Sequence, residues 1–143
     1  MPRGDPKLTA LKTVPLFTGL SRSQLALVAR IADEVDLRAG KVLIREDAVG
    51  SQFCVLVDGE AVVRREGRKL ATLGAGDFFG EIALLARRTT TATVTTTAPS
   101  RVLVITRAGF GQLLRTSPEI QWAVIQALAR RVPADDVLAA AAL

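Results

Sequence analysis

The residues whose types and spacing could do chemistry fall in one run, Phe79-Gly80-Glu81-Ile82-Ala83-Leu84-Leu85-Ala86-Arg87-Arg88-Thr89-Thr90-Thr91-Ala92-Thr93-Val94. Gly80 lets a ligand approach the backbone where any side chain would stand in the way. A short helix starting near Glu81 would aim unpaired N–H groups outward, and such a terminus attracts phosphate. Glu81 is placed to accept hydrogen bonds from a sugar hydroxyl. Thr89, Thr90 and Thr91 offer hydroxyls, Arg87 and Arg88 offer charge, and small Ala83 and Ala92 leave room. The constellation suits a phosphorylated sugar. Each member also has a plainer explanation. Gly80 can simply permit a turn, Glu81 can be a surface carboxylate, the threonines suit an exposed strand by propensity, and the two arginines suit a solvated loop.

Other chemistries are poorly served. The 143 residues contain no His and one Cys, so the commonest general base and the usual transition-metal ligands are missing. No nucleophile paired with a base is visible, and an enzyme is not expected. Cys54 lies in the apolar run Phe53-Cys54-Val55-Leu56-Val57, which predicts a buried structural thiol. The net charge of +5 comes from basic residues scattered along the chain; the pairs Arg64-Arg65, Arg87-Arg88 and Arg130-Arg131 are short and have no aromatic residues between them. That pattern predicts a solvated basic surface, with an anionic-ligand site as the main alternative. No apolar stretch approaches the roughly 20 residues that cross a bilayer, and Met1-Pro2-Arg3-Gly4-Asp5 lacks a signal-peptide core. The expectation is a cytoplasmic chain without a membrane partner.

The elements that must position the run are legible in outline. Residues 1–13 read as a leader that can pack through Leu8 and Leu11. Ser21 and Gln24 form a capping-box pair ahead of Leu25, Val28 and Ile31, which predicts a helix over about 22–32. Short apolar runs broken by Gly and Asp follow. Asp36 to Lys41 reads as a turn and Val42-Leu43-Ile44 as a strand. Phe53 to Val57 reads as a strand joined through an Asp58-Gly59 hairpin to Ala61–Arg64. Glu66-Gly67-Arg68-Lys69 is another hairpin tip before Leu70–Leu73, and strands are expected at 92–96 and 101–105. Thr106 caps a helix through Phe110, Leu113 and Leu114. Ser117-Pro118 starts a longer helix whose apolar face, Ile120, Val124, Ala127 and Leu128, is widened by Trp122 and Ile125. Trp122 is expected to pack. Pro133 ends that helix, and residues 133–143 read as a flexible Ala-rich tail. The fold class is mainly β with flanking helices, an eight-stranded β-roll over residues 14–132.

With these residues in view, the run resembles the phosphate-binding cassette of cyclic nucleotide-binding domains. Its usual form is F-G-E-(L/I)-(A/S/C)-L, a short variable stretch, then R-(A/T/S)-A-(T/S)-(V/I). Leu16-Phe17, Val57-Asp58-Gly59-Glu60, Gly76-Asp77-Phe78-Phe79 and the Leu103–Ile105 strand before a helix also resemble the family. The resemblance implies that Gly80 and Glu81 bind a ribose 2′-hydroxyl and that the amides of Ile82 and Ala83 hold the cyclic phosphate. It implies that Thr91, with Ala92 after it, contacts the phosphate and favours guanine. The implied ligand-binding set is Phe79, Gly80, Glu81, Ile82, Ala83, Arg88, Thr90, Thr91 and Ala92. The implied ligand is cAMP or cGMP, and no other cofactor is called for.

One position departs from the family. Its phosphate-clamping Arg falls at Thr90, and a hydroxyl cannot supply a bidentate, charge-assisted clamp. Arg88 lies two residues earlier, in a loop that can bend back to offer its charge. The alternative is an interaction module that keeps the fold but binds no ligand, or a ligand other than a cyclic nucleotide. In either case the resemblance implies signalling through the C-terminal helix, to a second copy or a partner protein. Relatives that bind DNA carry a helix-turn-helix after that helix. Only about ten residues follow Val132, so DNA binding by this chain alone is not expected.

Overall fold

A computed structural model describes residues 11–50, 52–80 and 89–131, with backbone alone at 127, 128, 130 and 131. After a 3-10 turn at Pro15–Phe17 come helix α1 (Arg22–Ile31) and eight strands: β1 (Ala32–Leu37), β2 (Val42–Ile44), β3 (Gln52–Asp58), β4 (Ala61–Arg65), β5 (Arg68–Leu73), β6 (Phe78–Phe79), β7 (Thr93–Thr96) and β8 (Ser100–Thr106). Helices α2 (Arg107–Thr116) and α3 (Pro118–Arg131) follow. The strands form two four-stranded sheets, ordered β1-β8-β3-β6 and β2-β7-β4-β5. The expected mainly-β roll with flanking helices is the observed fold.

Alternation along the central strands builds two cores. Phe53 and Val55 of β3 and Leu103 and Ile105 of β8 face the helices and pack with Val28, Phe110, Leu113, Ile120 and Val124. Cys54, Leu56 and Val102 face the other way, onto Ala61, Val94 and Phe79 between the sheets. Both faces of β3 are therefore buried, which explains its unbroken apolar run. Phe53 stacks on Phe110 with ring centroids 4.6 Å apart. Leu11 is fully buried in the helix-side core. Leu8 and the residues after 131 lie outside the described part.

The helix termini form as their sequences predict. The Ser21 hydroxyl accepts from the Gln24 N–H, and the Gln24 side chain accepts from the Ser21 N–H at 2.8 Å. Thr106 caps α2 through the Gly109 N–H, and the Ser117 hydroxyl accepts from the Ile120 N–H at the start of α3. The Glu66-Gly67 tip has φ of 50° and 78°, as a two-residue turn with both central residues left-handed requires. Opposite Val63 and Arg64, β5 carries one extra residue, Leu70, in a bulge.

Three sequence expectations are corrected. First, Asp36 and Leu37 belong to β1, which pairs with β8 from Ala32↔Ile105 to Leu37↔Ser100. Its carboxylates argue against a strand by propensity. Cross-strand Arg101 offsets them, with its Nε 2.9 Å from Asp36 and 3.4 Å from Glu34. Second, Asp58-Gly59 is not a hairpin. β3 pairs with β6 and β8, whereas β4 pairs with β5 and β7. Gly59, at φ 107°, carries the chain from one sheet to the other, and a Cβ there would lie 2.2 Å from the Ser100 Oγ. Third, Trp122 and Ile125 do not widen the packed face of α3; they are 61% and 53% exposed. Among the described side chains of α3, Ile120 and Val124 are buried in the core and Ala123 packs against it, so the helix meets the core along a narrow stripe.

Candidate functional site

The described cassette residues are Phe79 and Gly80, at the end of β6, and the stretch from Thr89 into β7. The entrance is anchored by Phe79, buried in the inter-sheet core and paired with Cys54. Gly80 follows at φ 95°. A Cβ at that position would stand 2.4 Å from the Gln52 carbonyl oxygen, so both the backbone angle and the close approach require glycine. Glu81, Ile82, Ala83, Arg87 and Arg88, with the short helix expected near Glu81, lie outside the described residues.

The exit is held by a hydrogen-bonded network. Thr89 bridges to Val49. The Thr90 N–H donates to the Ala48 carbonyl and the Asp47 N–H donates to the Thr90 carbonyl, both at 2.8 Å. The Thr90 hydroxyl is itself committed to this loop, donating to the Arg45 carbonyl and accepting from the Ala48 N–H. Thr90 is 8% exposed, so its side chain acts as a latch on the β2–β3 loop. Thr93 continues the tie: its hydroxyl accepts from the Glu46 N–H at 3.1 Å and donates to the Glu46 carboxylate at 3.3 Å. That carboxylate also accepts the Glu66 N–H at 3.1 Å, bringing in the β4–β5 tip. The Arg65 Nε donates to the Thr91 carbonyl at 2.9 Å. Thr91 is exposed and Ala92 half-buried. At the far end of the β2–β3 loop, the Arg107 guanidinium at the start of α2 donates to the Gly50 carbonyl.

The described part of the site thus has an entrance that requires glycine and an exit tied down by hydrogen bonds. Two of its features escaped sequence reasoning. The hydroxyl of Thr90 looks inward to the protein rather than outward, and nothing in a run of threonines tells one orientation from the other. Arg65 looked like half of a solvated pair, although counting by twos from Ala61 and Val63 would have set it apart from Arg64. Cys54 behaves as expected: burial pushes its thiol from 9.0 up to about 12.

The described residues form a two-sheet β-roll whose sixth strand ends at a left-handed glycine. The family model for the cyclic nucleotide-binding domain matches residues 34–117, and the chain belongs to that family. It is 33% identical over 105 residues to the cAMP-dependent protein kinase regulatory subunit of Schizosaccharomyces pombe, a match covering 73% of this chain and 26% of that protein. It is 32% identical over 121 residues to a cGMP-dependent protein kinase of Caenorhabditis elegans, covering 80% of this chain and 16% of that one. The chain therefore spans a minor part of these relatives' length. Among solved structures, the Thermus thermophilus catabolite activator protein superposes with a TM-score of 0.74 at 27% identity, covering 82% of this chain and 57% of that one. Among the described residues, no helix is long and apolar enough to cross a membrane.

Proposed function

We propose that this chain is a cytoplasmic, non-enzymatic sensor module that takes a cyclic nucleotide, cAMP or cGMP, in the segment from Phe79 to Ala92 and passes its state on through α3. The observation that carries the reading is Gly80. Its left-handed backbone, and the 2.4 Å that a Cβ there would have from the Gln52 carbonyl oxygen, make glycine a requirement at the end of β6, which supports the family's use of that residue. In this reading Gly80 and Glu81 take the ribose, the Ile82 and Ala83 amides take the phosphate, and Thr91 and Ala92 line the exit. The relatives' names, one a cAMP-dependent and one a cGMP-dependent kinase component, support the ligand class. Trp122 and Ile125, exposed on α3, leave apolar surface for a second copy or a partner protein at the output.

The test is calorimetric titration of the chain with cAMP and with cGMP, followed by amide chemical-shift mapping. Saturable binding with shifts centred on residues 79–92 is expected. Absence of heat and of shifts at millimolar nucleotide would overturn the reading and leave an interaction module that keeps only the fold.

A further inference from the structure

Position 90 cannot answer the charge of an anionic ligand. It has no cation, and its hydroxyl is already bonded to the Arg45 carbonyl and the Ala48 N–H. A cation does reach the cassette exit, from a different strand. Arg65 closes β4 and donates its Nε hydrogen to the Thr91 carbonyl at 2.9 Å, one residue from the empty clamp position. Two further observations set its direction. Strand alternation puts Arg65 on the face of Ala61 and Val63, which pack in the inter-sheet core, and puts Arg64 on the opposite face. Arg65 also lies beyond the last apolar residue of β4 and is exposed. One bond to a carbonyl uses one of five guanidinium donors. The terminal nitrogens remain able to meet an anion in a paired, charge-assisted geometry.

We propose that Arg65 supplies the positive charge that the cassette lacks at position 90, so that the ligand's phosphate is met from β4 rather than from within the cassette. The Thr91 carbonyl holds the guanidinium in place, and the neighbouring Thr90 is tied to the β2–β3 loop by its backbone and its hydroxyl. This rests on the cyclic-nucleotide reading above.

The experiment titrates cAMP and the uncharged nucleoside adenosine into the unmodified chain, Arg65→Gln and Arg64→Gln, at low and high salt. Arg65→Gln keeps a donor for the Thr91 carbonyl and removes the charge; Arg64→Gln makes the same change in net charge on the other face. Arg65→Gln is expected to weaken cAMP about tenfold, the scale of one charge-assisted hydrogen bond in a partly exposed site. It should flatten the salt dependence of cAMP binding and leave adenosine unchanged, and Arg64→Gln should do little. If Arg65→Gln weakens cAMP and adenosine alike, its role is structural and the proposal fails. Equal effects of the two variants, or none from Arg65→Gln, also overturn it while the cyclic-nucleotide reading stands. An unmodified chain that binds neither cAMP nor cGMP overturns both.

Discussion

Replacing Thr96 with Val exchanges a hydroxyl for a methyl of nearly the same size. Thr96 is 1% exposed, and its hydroxyl closes the turn between β1 and β2. It donates to the Arg38 carbonyl at 2.7 Å and accepts from the Lys41 N–H at 2.9 Å. The backbone bonds beside it, Gly40 N–H to the Thr96 carbonyl and Thr96 N–H to the Lys41 carbonyl, survive the change. Two hydrogen bonds are lost, each worth about 1 kcal/mol net, and more if the abandoned backbone groups stay dry. Arg38 and Lys41 are exposed, so water recovers part of that loss, and valine's strand preference returns a few tenths of a kcal/mol. The expected destabilisation is about 1.5–2.5 kcal/mol, read as a lower urea midpoint at unchanged slope. In a domain of this size it would lower Tm by roughly 5–10 °C. Thr90→Val makes the same exchange at the second latch and is expected to cost about 1–2 kcal/mol. The double variant should show the sum within about 0.5 kcal/mol, because the two turns share no partner. A Thr96→Val loss below about 0.5 kcal/mol would refute the view that these hydroxyls hold the turns.

Three other outcomes are expected. Gly80→Ala must place a side chain at φ 95° against the Gln52 carbonyl; it should abolish nucleotide binding and cost about 2–4 kcal/mol of stability, checked by titration and urea melts on one preparation. The Cys54 thiol, pushed up to about 12 by burial, should react with a disulfide reagent only at the rate of unfolding. Its neutral form is favoured by the fold, so the stability it contributes is complete below pH 9 and is lost as the pH rises towards 12, a loss that Cys54→Ala should remove from an alkaline stability profile. Glu119 is held below the ordinary carboxylate range by its own backbone N–H first, then by Gln24 and Ser117. Its contribution is present above the unfolded pKa and fades as the pH falls through the folded one, so Glu119→Gln should flatten the acid limb of the stability profile.

Local rules were legible wherever one residue acts on its immediate neighbours. The Ser21–Gln24 box, the Thr106 and Ser117 caps and the Glu66-Gly67 tip all form because each interaction closes within a few positions of chain. The sequence misleads where the deciding partner is remote. Arg101, some 65 residues from Asp36, turns an acidic stretch into strand. The Asp58-Gly59 pair has the composition of a hairpin, but β4 finds its partners in β5 and in the remote β7, and so leaves for the other sheet. Trp122 has the side chain of a core residue on a helix whose buried stripe is too narrow to reach it. The same division runs through the site. Gly80 announces its backbone need in its own identity. Thr90 gives no hint that the carbonyl of Arg45, from the other end of the roll's sequence, has claimed its hydroxyl.

The Leu70 bulge has a consequence for life in a crowded solution. β5 is the outer strand of its sheet, and five of its six residues are exposed. A flat strand so placed would offer its backbone to any neighbouring chain as a template. The extra residue breaks the spacing of that template, and Arg68 and Lys69 set like charges where a second chain would have to settle. A chain with 49% hydrophobic residues thereby keeps one of its two six-residue edge strands from becoming a seed for aggregation.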